Sequence, residues 1–164
     1  MASRITKLIN NLLSQTNISK HKYECYICKQ PVKRFLPYKE GLAGNSVFWN
    51  SIKIVGSDVE NFSCPLCWSH DRERHLVMYF DRIDMWNNIK GKRIMHFAPE
   101  THIAKRIKEN APEIHIQGDL FPTSDAIQKI DATQIPYEDN YFDLLIANHL
   151  LEHIPDVNKA LSEF

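Results

Sequence analysis

The chain has 164 residues, enough for one domain or for a small module joined to part of a larger one. Hydrophobic residues make up 43% of the sequence, which argues against wholesale disorder because a core can form. The formal net charge is zero, but residues 1–93 carry 15 Lys and Arg against 8 Asp and Glu, a net of +7, whereas residues 94–164 carry 5 against 12, a net of −7. The basic half suits an anionic substrate or nucleic acid, and it also suits two halves whose charges attract each other or stay solvated.

Residues 1–20 predict an amphipathic helix. Their apolar side chains follow the i, i+3, i+4, i+7, i+8 spacing of one helix face: Ile5, Leu8, Ile9, Leu12 and Leu13. This spacing differs from the contiguous apolar stretch of a signal peptide, and no apolar run approaches the roughly 20 residues that cross a bilayer. We therefore expect a cytoplasmic protein without a membrane partner, in which the cysteines stay reduced.

Residues 21–70 contain all the cysteines, arranged as two C-x-x-C pairs: Cys25, Cys28, Cys64 and Cys67. A C-x-x-C turn points two thiolates at one ion, so two such turns supply the four soft ligands of a tetrahedral Zn²⁺ site. We expect a small zinc-ribbon-like module in which a closed, structural Zn²⁺ supports folding. The alternatives are four unligated cysteines, or redox chemistry, which is weaker because a thioredoxin-like site needs only one C-x-x-C in a βαβ context.

Beyond residue 70 the pattern changes to alternating helices and strands. Periodicity predicts a helix over Arg72–Trp86 that ends near Gly91, strands over Arg93–Phe97, Glu113–Gln117, Lys129–Asp131 and Phe142–Ala147, and helices over Thr101–Asn110 and after Pro155. Strand–helix–strand units of this length favour right-handed parallel crossovers, and hence an α/β domain over residues 71–164. Ligands of such sheets bind at the carboxyl ends of the strands, where Asn148 and His149 follow the fourth strand.

Three segments of this domain carry a family resemblance: IMHFAPE (94–100), QGDL (117–120) and IDATQIPYEDNYFDLLIANHLLEHI (130–154). They resemble a class I S-adenosylmethionine-dependent methyltransferase of the type 11 methyltransferase group, and the last segment is the most specific. The resemblance implies the N-terminal half of a Rossmann-like parallel sheet of order 3-2-1-4, methyl transfer as the activity, and S-adenosylmethionine as the cofactor. The cysteine segment running into DRERHL is similar to the zinc-binding lead-in of some bacterial methyltransferases.

The resemblance also implies where the cofactor binds. Asp119, at the end of the second strand, would accept hydrogen bonds from both ribose hydroxyls, as an acid does in dinucleotide-binding folds. Asp131 matches the acid that receives the adenine amino group, and the backbone of Ala132 would add to this contact. Asn148 and His149 match the loop beside the methionine part of the cofactor and the substrate.

His149 and His153 are the candidate catalytic residues, because either could deprotonate or orient a methyl acceptor. Methyl transfer from a sulfonium depends mainly on in-line positioning of the nucleophile, so a dedicated base is not obligatory. His153 also fits a packing or capping role. The sequence leaves the acceptor open among sugars, small metabolites, RNA and protein.

The loop after the first strand departs from the family pattern. That pattern is acid-x-Gly-x-Gly, in which glycines let the backbone approach the cofactor. This chain has His96-Phe97-Ala98-Pro99-Glu100 instead, without any glycine. We expect His96, Ala98 and Glu100 to belong to the cofactor site, with Ala98 as the smallest residue and Glu100 meeting the ammonium group of the cofactor.

The last predicted helix starts after Asp156, which caps it, and runs to Phe164. The family fold has further strands beyond the fourth, and without them the fourth strand is an exposed hydrophobic edge. We therefore expect an incomplete domain, either a fragment of a longer enzyme or a chain whose fourth-strand edge is covered by a partner.

Two other functions remain open from the sequence. A non-catalytic zinc-knuckle module that binds nucleic acid or protein, on a degenerate methyltransferase scaffold, is motivated by the missing glycines and by the basic residues 1–93. A nucleotide-dependent dehydrogenase is disfavoured, because no G-x-G-x-x-G follows the first strand.

Overall fold

The computed structural model describes residues 22–38 and 57–164. The chain divides into two compact units, Met1–Tyr79 and Phe80–Phe164. We call the described part of the first the cysteine unit and the second the sheet unit. The predicted helix over residues 1–20 lies outside the described residues, and the predicted domain limits at residues 20 and 70 stay predictions.

The cysteine unit has little regular structure. Strands β1 (Tyr23–Glu24) and β2 (Pro31–Val32) form an antiparallel pair. The fully or almost fully buried members of its core are Cys25, Val32 and Cys64, against which partly buried hydrophobic residues pack: Ile27, Cys28, Phe35, Leu66 and Cys67. All four cysteines therefore belong to this core, and a core this small usually requires a metal or disulfide staple to fold.

Helices α1 (Asp71–Arg82) and α2 (Met85–Ile89) replace the single helix predicted over Arg72–Trp86, so that prediction is wrong in its continuity. The break occurs at Asp84, whose backbone is left-handed with φ 56°. Asp adopts this conformation more readily than most residues, and a helix cannot continue through it. Gly91, with φ 67°, lies just beyond α2, where its missing Cβ permits the turn into the next strand.

The sheet unit is built on a four-stranded parallel sheet: β3 (Arg93–Phe97), β4 (Ile114–Asp119), β5 (Gln128–Lys129) and β6 (Leu144–Ile146). The strands lie in the order β5-β4-β3-β6, so the predicted order 3-2-1-4 and the α/β fold class are confirmed. The third strand ends before Asp131, contrary to the prediction of Lys129–Asp131. Asp131 instead bridges to Gln134 in the loop that follows, which places its carboxylate beyond the strand end.

Strand β3 is buried on both faces. One face contributes to a core cluster whose buried members are Met95, Phe97, Ile130 and Ala132. The opposite face carries Ile94 and His96, both fully buried, because successive side chains of a strand point to opposite sides. Burial on both faces is the usual environment of a central parallel strand.

The remaining helices of the sheet unit are short. Helix α3 (Thr101–Glu109) follows β3, and α4 (Val157–Glu163) ends the described chain after a 3₁₀ turn at Leu151–His153. Asp156 Oδ1 accepts a hydrogen bond from Lys159 N at 3.0 Å, which confirms Asp156 as the cap of α4. Within residues 22–38 and 57–164, no helix is long and apolar enough to cross a membrane.

Candidate metal and cofactor sites

The four cysteine sulfurs of the cysteine unit converge on one point. All four Sγ atoms lie within 4.8 Å of one another, with 3.7 Å between Cys25 and Cys67 and 4.0 Å between Cys28 and Cys64. A tetrahedral ion with Zn–S bonds of about 2.3 Å separates its sulfurs by about 3.8 Å. The structure therefore brings all four predicted ligands together at distances that a single metal ion fits.

Each pair of cysteines sits on the same kind of turn. Lys29 N donates to Cys25 O at 2.8 Å in the first pair, and Trp68 N donates to Cys64 O at 3.0 Å in the second. Lys29 and Trp68, each directly after the second cysteine, are left-handed, with φ 54° and 65°. A glycine would adopt this conformation without strain, so both turns hold costly backbone geometry. Such strain at both turns favours a site shaped to bind an ion over four thiols that lie close together by chance.

The cysteine cluster is closed and partly desolvated. Cys25 and Cys64 are fully buried, and Cys28 and Cys67 are half-buried. Burial raises the pKa of the Cys28 thiol to about 11. Four protein ligands complete a tetrahedral coordination sphere, which leaves no position for a reacting water or substrate. The arrangement suits a structural ion and not a catalytic one.

A buried arginine holds the chain around the second cysteine pair. The Arg74 guanidinium donates to the backbone oxygens of Asn61 at 2.8 Å, Phe62 at 3.1 Å and Ser69 at 2.7 Å. It also lies 4.1 Å from the ring centroid of Phe35. These carbonyl groups come from one loop that has little secondary structure of its own, so the guanidinium replaces the missing backbone pairing. The sequence contains no signal for this role, because carbonyl partners carry no side-chain pattern.

In the sheet unit a cavity of about 220 Å³ opens at the carboxyl ends of the parallel strands. It is lined by Phe97, Ala98, Asp119, Leu120, Phe121, Ile130, Asp131, Ala132, Leu150, His153 and Ile154. Five of the residues predicted from the sequence meet there: Ala98, Asp119, Asp131, Ala132 and His153. Leu120 and Phe121 were not predicted, although both are exposed apolar residues that directly follow an acid at a strand end.

The two acids of the cavity use one oxygen each to fix their own loops. Asp119 Oδ1 accepts from Phe121 N at 2.7 Å, and Asp131 Oδ1 accepts from Thr133 N and Thr133 Oγ1, both at 2.8 Å. The bonds from Thr133 lower the pKa of Asp131, which keeps its carboxyl charged at neutral pH. The second oxygen of each carboxylate is the acceptor available for a ligand in the cavity.

Ala98 has a backbone conformation that glycine adopts more readily than alanine. Its φ is 43°, in the left-handed region, and its N donates to Gly118 O at 2.9 Å across the β3–β4 edge. A left-handed L-residue costs about 1–2 kcal/mol, so the loop keeps a glycine-like path without glycine. Gly118, which accepts this hydrogen bond, has little room for a side chain, because an added Cβ would lie 3.3 Å from Ile130 Cδ1.

Glu100, His96 and Asn148 form a clamp between the loops after β3 and β6. Glu100 Oε2 lies 2.9 Å from His96 Nε2, and Glu100 Oε1 accepts from Asn148 Nδ2 at 2.6 Å. Burial opposes the charge on Glu100, but these hydrogen bonds outweigh it and lower the pKa of Glu100. The clamp residues do not line the cavity; His96 is fully buried, and Glu100 and Asn148 tie together the two loops beside it.

The two predicted catalytic histidines are placed differently. His153 lines the cavity, whereas His149 does not and instead lies with Nδ1 3.1 Å from Glu152 Oε1. His149 is left-handed with φ 52°, so the loop after β6 is strained in the same way as the loop after β3. Backbone strain of this kind is concentrated at ligand-binding loops.

A second histidine beside His96, partly buried, was not predicted from the sequence. His115 of β4 stacks on His96 with 5.8 Å between ring centroids. Its Nε2 and His96 Nδ1 are buried and have no hydrogen-bond partner within the described residues. Burial, followed by the charge of His96, lowers the pKa of His115 to about 4, so its ring is neutral under ordinary conditions. The alternating pattern of EIHIQ predicts a strand, but it does not indicate on which face of the sheet the histidine lies.

The edge of β6 lies open in the described part of the chain, where β6 pairs with β3 alone. A hollow of about 270 Å³ lies along this edge and includes residues 135, 137–145 and 162–164 in its lining. Whether a partner covers it stays a prediction.

The fold and the cavity define the class of the sheet unit as a Rossmann-like domain, in which a small molecule binds at the carboxyl ends of the strands. Residues 85–164 match the family model described as a methyltransferase domain. This match supports a class I methyltransferase domain over that part of the chain, as the resemblance implied. Neither a curated protein nor a solved structure matches the chain.

Proposed function

We propose that the chain is an S-adenosylmethionine-dependent methyltransferase whose cofactor binds in the cavity at the ends of β3, β4 and β5. The observation that carries this proposal is the meeting of Ala98, Asp119, Asp131 and Ala132 around one cavity in a domain of the methyltransferase family. These residues are far apart in sequence. Each of them is a residue that the family resemblance assigns to the cofactor, and this assignment supports the proposal.

The chemistry of the lining suits the nucleoside part of the cofactor. Asp119 and Asp131 offer charged acceptors for the ribose hydroxyls and the adenine amino group, and Leu120 and Phe121 offer an apolar surface for the adenine ring. Phe121 is 78% exposed, and a bound base would cover it. When bound, the cofactor supplies an electrophilic methyl group on a sulfonium.

The loops after β3 and β6 would then hold the methionine part of the cofactor. In this proposal the clamped Glu100 carboxylate attracts the ammonium group, with His96 and Asn148 keeping that carboxylate oriented. His153, and His149 from the neighbouring loop, orient the acceptor. Because methyl transfer depends mainly on in-line positioning, neither histidine needs to act as a base.

Isothermal titration of the full chain with S-adenosylmethionine tests the proposal. We expect saturable 1:1 binding, weakened about 10-fold or more by Asp131→Ala or Asp119→Ala, because each change removes a charged hydrogen-bond acceptor. Asp125→Ala is the matched control, since Asp125 is an exposed acid of the same connection that does not line the cavity. Absence of heat up to high micromolar cofactor would contradict the proposal.

We also propose that the cysteine cluster holds a structural Zn²⁺. The support is the set of four soft ligands at tetrahedral distances in a unit whose core consists largely of those ligands. Metal analysis of the protein purified without added metal tests this, and we expect one zinc per chain. A metal-free protein that still shows a folded cysteine unit would contradict it.

A second candidate function is a non-catalytic binding module that uses the basic residues 1–93. The observation in its favour is the strained, glycine-free loop at Ala98, which a degenerate scaffold would tolerate. Electrophoretic mobility shift with RNA and DNA distinguishes the two functions, because phosphate binding by a basic surface weakens steeply with salt. Salt-sensitive retardation together with no cofactor binding would favour this candidate.

A further inference from the structure

Ser69 lies between the two cysteine turns. Its Oγ accepts from Cys67 Sγ at 3.2 Å and lies 3.5 Å from Cys25 Sγ, where either atom can donate, so one hydroxyl reaches a sulfur of each C-x-x-C pair. Ser69 is fully buried. A buried hydroxyl needs a partner, and the two sulfurs are the side-chain atoms that the structure places within its reach.

The backbone of Ser69 is held independently of its side chain. Ser69 O accepts from Cys64 N at 2.9 Å and from Arg74 Nη1 at 2.7 Å. With the backbone fixed on both the cysteine turn and a buried guanidinium, the hydroxyl has only its χ1 and its proton left to adjust. The side chain is therefore preorganised toward the sulfurs before any ligand binds.

We propose that Ser69 is a positioning residue of the metal centre, and that its hydroxyl donates a hydrogen bond to the thiolate of Cys25, beside that of Cys67. The inference rests on the proposed metal binding by the four cysteines. Four thiolates around a divalent ion carry a net charge of −2, which is costly in a desolvated unit. A hydroxyl donor facing two of the sulfurs offsets part of that cost and fixes their orientation, as outer hydrogen-bond partners of metal ligands do.

The test compares zinc affinity in the full chain carrying Ser69→Ala, Ser69→Thr or Ser63→Ala, by competition with a chromogenic chelator. We expect Ser69→Ala to weaken zinc binding about 10- to 100-fold, the usual effect of removing such a partner. Ser69→Thr keeps the hydroxyl and should stay within about 3-fold of the parent, since its donor chemistry is unchanged. Ser63→Ala is the control, because Ser63 joins Leu36 through backbone hydrogen bonds that the change preserves.

A cobalt spectrum provides a readout that loss of packing alone would not give. In the Co²⁺-substituted protein, removing the hydrogen bond makes the thiolates richer in electrons, so Ser69→Ala should move the sulfur-to-cobalt charge-transfer band to longer wavelength. Ser69→Thr and Ser63→Ala should leave the band in place.

The outcomes separate the inference from the metal proposal. A parent protein that takes up neither Zn²⁺ nor Co²⁺ overturns the metal centre and the role of Ser69 with it. A parent that binds one ion, with Ser69→Ala unchanged in affinity and spectrum, overturns the role of Ser69 alone. If Ser69→Ala does not fold, Ser69→Thr decides, because an affinity loss of more than about 10-fold with the hydroxyl retained contradicts the proposal.

Discussion

In the cysteine unit the four candidate ligands come from two short turns, whereas in the sheet unit the cavity collects side chains from the ends of three strands and the turn before α4. The first site is local in its geometry, and its ligands make up much of the core around it. The second site is lined in part by the apolar core of the sheet unit, through Phe97, Ile130 and Ala132, and this core contains none of the acids that would bind a ligand. We therefore expect removal of the metal to unfold the cysteine unit, and removal of the cofactor to lower the stability of the sheet unit only by the free energy of binding.

Removal of a metal ligand is expected to have the largest effect on the protein. Cys64→Ser should unfold the cysteine unit, because apparent zinc-binding energies of roughly 10–16 kcal/mol exceed the stability of such a small core. The amide NMR spectrum of the full chain should lose the dispersed signals of residues 22–38 and 57–79 and keep those of the parallel sheet. Retention of both sets of signals would show that the cysteine unit folds without its ion.

A smaller loss of stability is expected in the sheet unit as the pH is lowered. The pKa of His115 is lowered from 6.5 to about 4 in the folded state, so the unfolded chain takes up its proton first as the pH falls. The stability contributed by neutral His115 is complete above about pH 6.5 and is lost toward pH 4, by about 3 kcal/mol at most.

His115→Phe isolates this contribution, since it keeps the stacked ring on His96 and removes the titrating nitrogen. Urea unfolding between pH 4 and 7 should show a shallower loss of stability in the variant than in the parent. The same slope in both proteins would mean that Glu100, whose pKa is also lowered, carries the acid sensitivity instead.

The clamp is expected to contribute about 1–3 kcal/mol to the free energy of unfolding of the sheet unit. This is the cost of replacing one charged hydrogen-bond acceptor by an amide. Glu100→Gln should lower the free energy of unfolding of the sheet unit by that amount and also weaken cofactor binding. Glu109→Gln is the matched control and should change little, because Glu109 ends the helix that Glu100 precedes, is exposed and lies 3.7 Å from Lys105 Nζ. Equal effects of the two changes on urea unfolding would contradict a stabilising role for the clamp.

The smallest effect concerns the strained loop after β3. Ala98→Gly should raise the free energy of unfolding by about 1 kcal/mol, because glycine adopts φ 43° without the strain of an L-residue. Ala104→Gly, in the middle of α3, should lower it by a similar amount, because there glycine only adds flexibility to the unfolded chain. Thermal unfolding of the pair gives two shifts of opposite sign if the loop is strained and two losses if it is not.

The sequence predicted the parallel strands and the cluster of four cysteines because both follow from short-range patterns, whereas the strand order was implied by the family resemblance. Alternation of helices and strands defines parallel crossovers, and a C-x-x-C pair is itself a turn. The break at Asp84 was missed, because nothing in the periodicity distinguishes a left-handed residue from a helical one. The shortened third strand was missed for a related reason, since Asp131 completes a loop bridge instead of a ladder pair.

The parts of the sites that the sequence did not predict are contacts between distant residues. Asn148 and Glu100 are 48 residues apart, and Ser69 lies beside Cys25, 44 residues away. Individually each is an ordinary polar residue, and only the fold makes it a partner. The left-handed Ala98 is a different case, because the missing glycines suggested a changed loop and the structure instead keeps the glycine-like path in strained form.

Amide NMR of the full chain during titration with S-adenosylmethionine tests whether the strand-end cavity is the cofactor site. If the cofactor binds in the strand-end cavity, shift changes should saturate and cluster at Ala98, Asp119, Phe121 and Ala132, with the cysteine unit unaffected. A spectrum that does not change, or changes centred on residues 22–38 and 57–79, would contradict this assignment.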